Sequence, residues 1–197
     1  MPRRGGTQAK GRVRIIAGAA RGRQLSVTRK ERDVRPTPDR VREALFSILG
    51  ERCVGARVVD LCAGSGALGL EALSRGAEST LFIERDRRVA EVLQENVERV
   101  GLTGATVAVR DARKLLQELA GTDARFDLCF LDPPYRQQLV LPIARALVEG
   151  HLLAPGARIA VDHPAETLPT IPGLIVTDQR TYGTVTVTLF AEEEAGD

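Results

Sequence analysis

Residues 57–69 read Arg-Val-Val-Asp-Leu-Cys-Ala-Gly-Ser-Gly-Ala-Leu-Gly, and the change of period within this stretch decides the fold. Val58, Val59 and Leu61 make a short apolar run of the kind a buried strand requires, Ala63-Gly64-Ser65-Gly66 breaks it, and helical spacing resumes near Ala67. A strand that turns through glycines into a helix lets the backbone approach a ligand closely. The first turn of that helix also carries N–H groups with no partner inside it. Gly64, Gly66 and Gly69 fit G-x-G-x-x-G, a spacing that by itself does not separate a nicotinamide dinucleotide from other adenosine-bearing cofactors.

Downstream, strand-like and helix-like runs alternate. Strands are predicted over 57–61, 79–84, 105–110, 126–131 and 157–162, with helices between them such as 87–100, whose Val89, Val92, Leu93, Val97 and Val100 share one face. This alternation predicts an α/β fold with a mostly parallel sheet and ligands at the carboxyl ends of its strands. The end of the chain breaks the rhythm. Strands at 174–180 and 184–190 are separated only by Thr181-Tyr182-Gly183, too short for a parallel crossover, so they must pair antiparallel. Residues 192–197 are read as an acidic tail.

Upstream, residues 12–16 and 24–27 predict a small β-hairpin within a segment 12–34, preceded by a basic extension 1–11 without apolar periodicity, read as disordered. At Arg35-Pro36-Thr37-Pro38-Asp39 a helix should begin, with Thr37 as cap, Pro38 in the first turn and Asp39 at the positive dipole end. Val41, Ala44, Leu45, Ile48 and Leu49 give it an apolar stripe, Gly50 should close it, and the main domain then occupies 35–191.

The net charge of +2 conceals a division. Residues 1–42 hold thirteen Lys/Arg against three Asp/Glu, a balance of +10, which leaves −8 for the remainder. A basic arm on an acidic body points to a polyanionic partner for the arm, and Arg12, Arg14, Arg21, Arg23, Arg35 and Arg40 are the candidate contacts. Cys53, Cys62 and Cys129 show no C-x-x-C spacing and read as buried apolar residues of a reducing cytoplasm. No run approaches the length of a membrane span, no signal peptide is evident, and metal clusters, a P-loop and a nucleophile elbow are all missing. His151 and His163 read as structural. Oligomeric state is left open, with a monomer as the working expectation.

Four carboxylates close predicted strands. Asp60 precedes the glycine turn and could hold a cation, order water or fix the turn. Glu84 lies twenty positions beyond Gly64, where a carboxylate accepts from both hydroxyls of an adenosine ribose. Asp111, followed by Ala112, could receive an adenine amine or cap the next helix. Asp132 opens Asp-Pro-Pro-Tyr (132–135), the most specific signal in the chain. Pro133 and Pro134 stiffen the backbone and remove N–H donors, which leaves Asp132 and the Pro133 carbonyl to accept from an exocyclic base amine and localise its lone pair. Tyr135 would stack on a base splayed from its helix.

Residues 58–77 together with Asp-Pro-Pro-Tyr resemble a class I S-adenosylmethionine-dependent amino-methyltransferase. Arg-Ile-Ile-Ala-Gly-Ala-Ala-Arg-Gly-Arg (14–23) and Arg-Pro-Thr-Pro-Asp-Arg-Val-Arg-Glu-Ala-Leu-Phe (35–46) resemble the RsmD family, which methylates the exocyclic N2 of one guanine in 16S ribosomal RNA. The resemblance implies a Rossmann-like seven-stranded sheet with an antiparallel last strand. It also implies S-adenosyl-L-methionine as cofactor, with Ala63, Gly64, Ser65 and Gly66 at its methionine part, Glu84 at the ribose, Asp111 and Ala112 at the adenine, Arg85 among the cofactor contacts, and Thr37 in a corner closing over it. The hairpin would grip 16S rRNA or a small-subunit assembly particle. A DNA adenine-N6 or protein-glutamine methyltransferase shares the Pro-Pro-Tyr logic. A nicotinamide-dependent oxidoreductase and a non-catalytic ribosome-assembly binder are further readings.

Overall fold

The computed structural model describes residues 13–28, 38–133, 139–164 and 170–193. The expected extension 1–11, the Thr37 cap, Arg12 and Arg35, and Pro134 with Tyr135 lie outside the described residues.

The chain opens with a two-stranded antiparallel hairpin, β1 (Val13–Arg14) and β2 (Gln24–Leu25), and continues into α1 (Asp39–Leu49) and a 3-10 turn at Gly50–Cys53. There follow β3 (Arg57–Asp60), α2 (Ala67–Ser74), β4 (Ser79–Glu84), α3 (Arg87–Val100), β5 (Ala105–Val109), α4 (Ala112–Leu119), β6 (Phe126–Leu131), α5 (Val140–Glu149), β7 (Leu153–Pro164), β8 (Leu174–Tyr182) and β9 (Val185–Glu192). Seven strands form one sheet in the order β5-β4-β3-β6-β7-β9-β8. β3 pairs parallel with β4 and β6, β4 with β5, and β6 with β7; β9 lies between β7 and β8 and runs antiparallel to both. The mostly parallel sheet and its antiparallel end match the alternation and the terminal hairpin, and the Rossmann-like arrangement of seven strands with an antiparallel last strand matches what the resemblance implies.

Alternate side chains go to opposite faces, as the strand period of two requires. Val59, Cys129, Leu131, Ile159 and Val161 pack with Leu116 of α4 and Ile143, Ala144 and Leu147 of α5. On the other face Val58, Leu128, Phe130 and Ala160 pack under α1. Phe82 instead meets α2, α3 and the hairpin residues Val13, Ile15, Leu25 and Val27, so the hairpin shares the core of the sheet domain.

Several boundaries differ from the sequence expectation, each for a local reason. The hairpin strands are only two residues long because the N–H groups of Ile16 and Ala17 donate to the Glu71 carboxylate at 2.6 and 3.0 Å, and that of Ser26 to Asn96. β7 begins at Leu153, four residues early, because a register shift between Phe126 and Leu128 accommodates Pro155-Gly156 within it. β9 runs through Glu192, which pairs with Leu174, beyond the strand end expected at 190; residues 194–197 of the expected tail lie outside the described residues. Thr186 and Thr188 are buried, with their hydroxyls hydrogen-bonded to Thr181 and His163 respectively.

In α1 the N-cap position is taken by Pro38 itself, with no side-chain cap, and the buried stripe is Val41, Arg42, Leu45, Phe46 and Leu49. Ala44 and Ile48 are only half-buried. The stripe is turned toward Phe46, whose ring sits 5.6 Å from that of Phe130 and under the Arg75 guanidinium.

Candidate active site

The carboxyl ends of four adjacent parallel strands form one edge, and each carries an acid at or just past its end: Asp111 after β5, Glu84 on β4, Asp60 on β3 and Asp132 after β6. At about 4.8 Å between neighbouring strands, the row spans about 14 Å. The glycine turn 63–66 stands in the middle of it.

The turn is built by exclusion of side chains. Gly66 has φ +83°, and a Cβ there would lie 2.4 Å from Leu93 Cδ1; a Cβ at Gly69 would lie 2.3 Å from the Phe82 ring. The first glycine thus permits the bend and the second lets α2 settle on β4. Asp60, 2% exposed, accepts from the Gly69 N–H through Oδ2 at 3.0 Å. Burial pushes its carboxyl up to about 7; the Gly69 N–H opposes that shift and the charge of Glu84 adds to it. Of the roles open to Asp60, fixing the turn is the one its hydrogen bond performs.

Glu84 accepts from the Gly64 N–H through Oε2 at 3.1 Å and from the Asp86 N–H through Oε1 at 2.8 Å. It therefore joins the glycine turn to the loop leading into α3, and the exposed Arg85 follows it. Asp111 caps α4 by accepting from the Lys114 N–H at 3.2 Å, with Ala112 buried behind it. Ala63 and Ser65 are buried within the turn.

Cys62, which the spacing did not single out, lies among these acids. Burial first, then the charges of Asp60, Glu84 and Asp132, hold its thiol well above the ordinary value, with Arg85 opposing. It is a neutral thiol, not a nucleophile. Its environment also reports that three of the four acids converge on one place.

Beside Asp132 lies a cleft whose walls include Leu45, Leu68 and Val187 and whose polar groups are Arg42, Asp132 and Asp162. Arg42 is 1% exposed and escaped sequence reading because it stands inside the apolar stripe of α1. A cation one residue after Val41 and three before Leu45 was the available signal. Its Nη2 donates to the Arg14 carbonyl at 2.9 Å and to Asp39 Oδ1 at 2.8 Å.

The hairpin arginines separate into two kinds. Arg14, Arg21 and Arg23 of the hairpin and Arg40 of α1 are all exposed, and Arg14 pairs with Asp39 at 3.0 Å. Arg23 instead donates to the carbonyls of Arg99 and Val100, so it closes the carboxyl end of α3. Three buried side chains fasten the hairpin and its flanks to the site. Glu71 takes Ile16 and Ala17, and Ser74 accepts from the Ala20 N–H at 2.9 Å and donates to the Ala17 carbonyl. Asn96 donates to the carbonyls of Ser26 at 2.8 Å and Ser65 at 2.9 Å. His163 is spent on Thr188 Oγ1 and the Pro164 carbonyl, as a structural histidine should be. No group of three or more potential metal-binding side chains occurs among the described residues, and no helix among them is long and apolar enough to cross a membrane.

A family model described as conserved hypothetical protein 95 matches residues 13–191. Ribosomal RNA small subunit methyltransferase D of Escherichia coli is 39% identical over 189 residues, covering 95% of this chain and 93% of that protein. The protein of the same name from Haemophilus influenzae is 37% identical over 184 residues, 92% of this chain and 95% of that one. A solved Escherichia coli structure superposes with a TM-score of 0.82 at 37% identity, over 93% of this chain and 99% of the other. The solved structure of a hypothetical protein from Thermus thermophilus gives 0.78 at 36% identity, over 90% of this chain and 98% of the other.

Proposed function

The chain belongs to the RsmD family of small-subunit ribosomal RNA methyltransferases, and from that premise we propose that it transfers a methyl group from S-adenosyl-L-methionine to the exocyclic N2 of a guanine in 16S rRNA. The single observation that carries the reading is the row of acids. Asp111, Glu84, the glycine turn and Asp132 follow one another along adjacent strand ends in the order adenine, ribose, methionine and methyl acceptor. A nicotinamide enzyme would use the turn and Glu84 but leave Asp132 without a task.

The residues present fit the cofactor. Glu84 is a carboxylate at the right strand end to accept from ribose hydroxyls, and the positive φ of Gly64 (+53°) and Gly66 (+83°) lets the backbone take the sharp bend that brings the turn close to a ligand. Asp111 and Ala112 would border the adenine, and Ala63 to Gly66 the methionine part. When bound, the cofactor supplies a methyl group made electrophilic by its sulfonium.

The protein's own work lies at Asp132 and Pro133. A guanine amine is a weak nucleophile because its lone pair is delocalised into the ring. Asp132 accepts one amine proton and the Pro133 carbonyl the other, which aligns the lone pair and stabilises the positive charge that develops on nitrogen. Asp132 then holds the proton that the alkylated amine must lose. Tyr135, which ends the motif, would stack on the base, and Arg21, Arg14 and Arg40 would meet RNA phosphates. We place this activity in the cytoplasm, on rRNA or an assembling small subunit.

The test is transfer of labelled methyl from S-adenosylmethionine into purified small-subunit particles, naked 16S rRNA, DNA and protein, with digestion of the product to nucleosides. Label recovered as N2-methylguanosine from rRNA is the expected result; label in N6-methyladenine or in protein overturns it.

A further inference from the structure

Asp132 stands in the middle of the sheet's carboxyl edge. On one side of it β3, β4 and β5 carry the acids and the glycine turn assigned to the cofactor; on the other lie β7, β9 and β8. An RNA that delivers a base to Asp132 has to avoid the strand ends the cofactor covers, so part of its chain passes over the other three. β8 runs in the same direction as β7, since both are antiparallel to β9, and the turn from β8 into β9 therefore projects from the same edge as Asp132.

That turn lies close to the site. Arg180 pairs with Val187 and Val187 with Asp162, while Leu131 pairs with Val161, so Asp132, Asp162, Val187 and Arg180 follow one another across four adjacent strands. Three steps of about 4.8 Å put Arg180 about 14 Å from Asp132, within a few nucleotides of the target base. A Cβ built at Gly183 would lie 3.8 Å from Arg40 Nη2, so the turn also adjoins the cations at the start of α1.

The side chains of this tip suit a single-stranded polyanion. The chain beyond residue 42 has a net charge of −8, yet Arg180 is the one charged residue within 179–190. It is 58% exposed and donates to Asp178 from Nε at 2.9 Å and from Nη2 at 3.3 Å. These two bonds fix the plane of the guanidinium and do not use Nη1, which gives a phosphate an oriented donor at little entropic cost. Tyr182 is two residues on and on the same face; it rests half-buried on the core under α1, which leaves part of its ring to stack on a base.

We propose that the tip of the β8–β9 hairpin is a second RNA contact, in which Arg180 donates to a phosphate and Tyr182 stacks on a base in the single strand flanking the target guanine. The inference rests on the rRNA reading above and adds to it the path of the RNA, from the hairpin β1–β2 across the start of α1 to the last strands of the sheet.

The test uses the full chain carrying Asp178→Asn together with Arg180→Gln. This pair of changes leaves the net charge as it was, so a loss of affinity reports the guanidinium and not the overall field. Filter binding of naked 16S rRNA should weaken by about threefold or more, and the dependence of log K on log salt should become shallower by about 0.7, the share of one phosphate on a single strand. KM for the rRNA substrate should rise in step, while the melting temperature and the affinity for S-adenosylhomocysteine stay at wild-type values. Tyr182→Leu should weaken binding by about fivefold or more with the salt slope unchanged, and Tyr182→Phe should restore it. Affinity and slope equal to those of wild type in the charge-pair variant overturn the proposal, whatever Tyr182→Leu does to stability. A rise in KM on small-subunit particles with naked-RNA binding intact would put a ribosomal protein on the tip and overturns it too. Filter binding needs no turnover, so the two readings fail separately. A wild type that leaves no N2-methylguanosine in rRNA refutes the earlier one, and a wild type that does so while the variants bind as it does refutes this one alone.

Discussion

The backbone N–H of Gly69 donates to Oδ2 of Asp60 across 3.0 Å and so ties the first turn of α2 to the last residue of β3. The bond holds the glycine turn at its bend, and the acid that makes it is buried. Its carboxyl, raised to about 7 mainly by burial, binds a proton in the folded state over a pH range where the unfolded chain has already lost it. Stability from this group is therefore full below about pH 4 and declines as pH rises toward 7, by on the order of 4 kcal/mol at most. Asp60→Asn keeps an acceptor for Gly69 without the titration. Denaturant unfolding at pH 4 to 8 should show a flatter profile for the variant than for wild type; parallel profiles would remove Asp60 as the cause.

Glu84 joins two backbone segments before any ligand contact is counted. Truncation to alanine frees the N–H groups of Gly64 and Asp86 and removes the proposed ribose acceptor. At about 1.5–3 kcal/mol for a hydrogen bond to a charged group, affinity for S-adenosylhomocysteine should fall about tenfold to a hundredfold. Calorimetric titration measures it, and an unchanged Kd would take the ribose away from this side chain.

Asp132 directly follows β6, at the neighbouring strand end. Asp132→Ala should leave S-adenosylhomocysteine affinity within a few-fold while lowering methyl transfer by about a hundredfold or more, the scale seen when one oriented group is lost from a charged transition state. Turnover near normal would end its assignment as the amine acceptor.

What the sequence made legible follows from where the information lay. β4, β6 and α3 have the bounds expected, because their signals are local. Apolar runs end at acids, Asp86 caps α3 by accepting from the Arg88 N–H at 3.0 Å, and Gly101 closes it at φ +58°. The acids at strand ends could be found for the same reason. Glu71, Asn96 and Arg42 could not, since beside their near neighbours Arg75, Arg99 and Asp39 the partners that place them lie 54 and 55, 31 and 70, and 28 positions away, and a polar residue inside a helical stripe looks like an error of register. The role of Asp111 was open between adenine and helix cap, and the fold adds the cap without removing the other.

The two central hairpin arginines, alike in sequence, should behave differently. Arg21 is exposed, so Arg21→Ala should weaken RNA binding and reduce its salt dependence by about one counterion, with thermal stability unchanged. Arg23 closes the carboxyl end of α3, so Arg23→Ala should cost about 1 kcal/mol of stability. Filter-binding at several salt concentrations and thermal melts of each single variant separate the two. Identical profiles for both would mean that the docking of Arg23 does not persist in solution.

Asn96 is where the RNA arm and the cofactor turn meet. Its amide donates to the carbonyls of Ser26 and Ser65, and its oxygen accepts from the Ser26 N–H at 2.8 Å. Ser26 follows the hairpin and Ser65 lies in the glycine turn, so this fully buried side chain fixes the distance between them. Asn96→Leu preserves volume but orphans buried backbone groups, and should cost about 2–4 kcal/mol in denaturant unfolding. It should also weaken S-adenosylhomocysteine and RNA binding together, although Asn96 touches neither ligand in the proposed complex. Loss of stability with both affinities intact would show that the two sites are positioned independently, and the hairpin would then be an anchor for RNA with no hold on the cofactor turn.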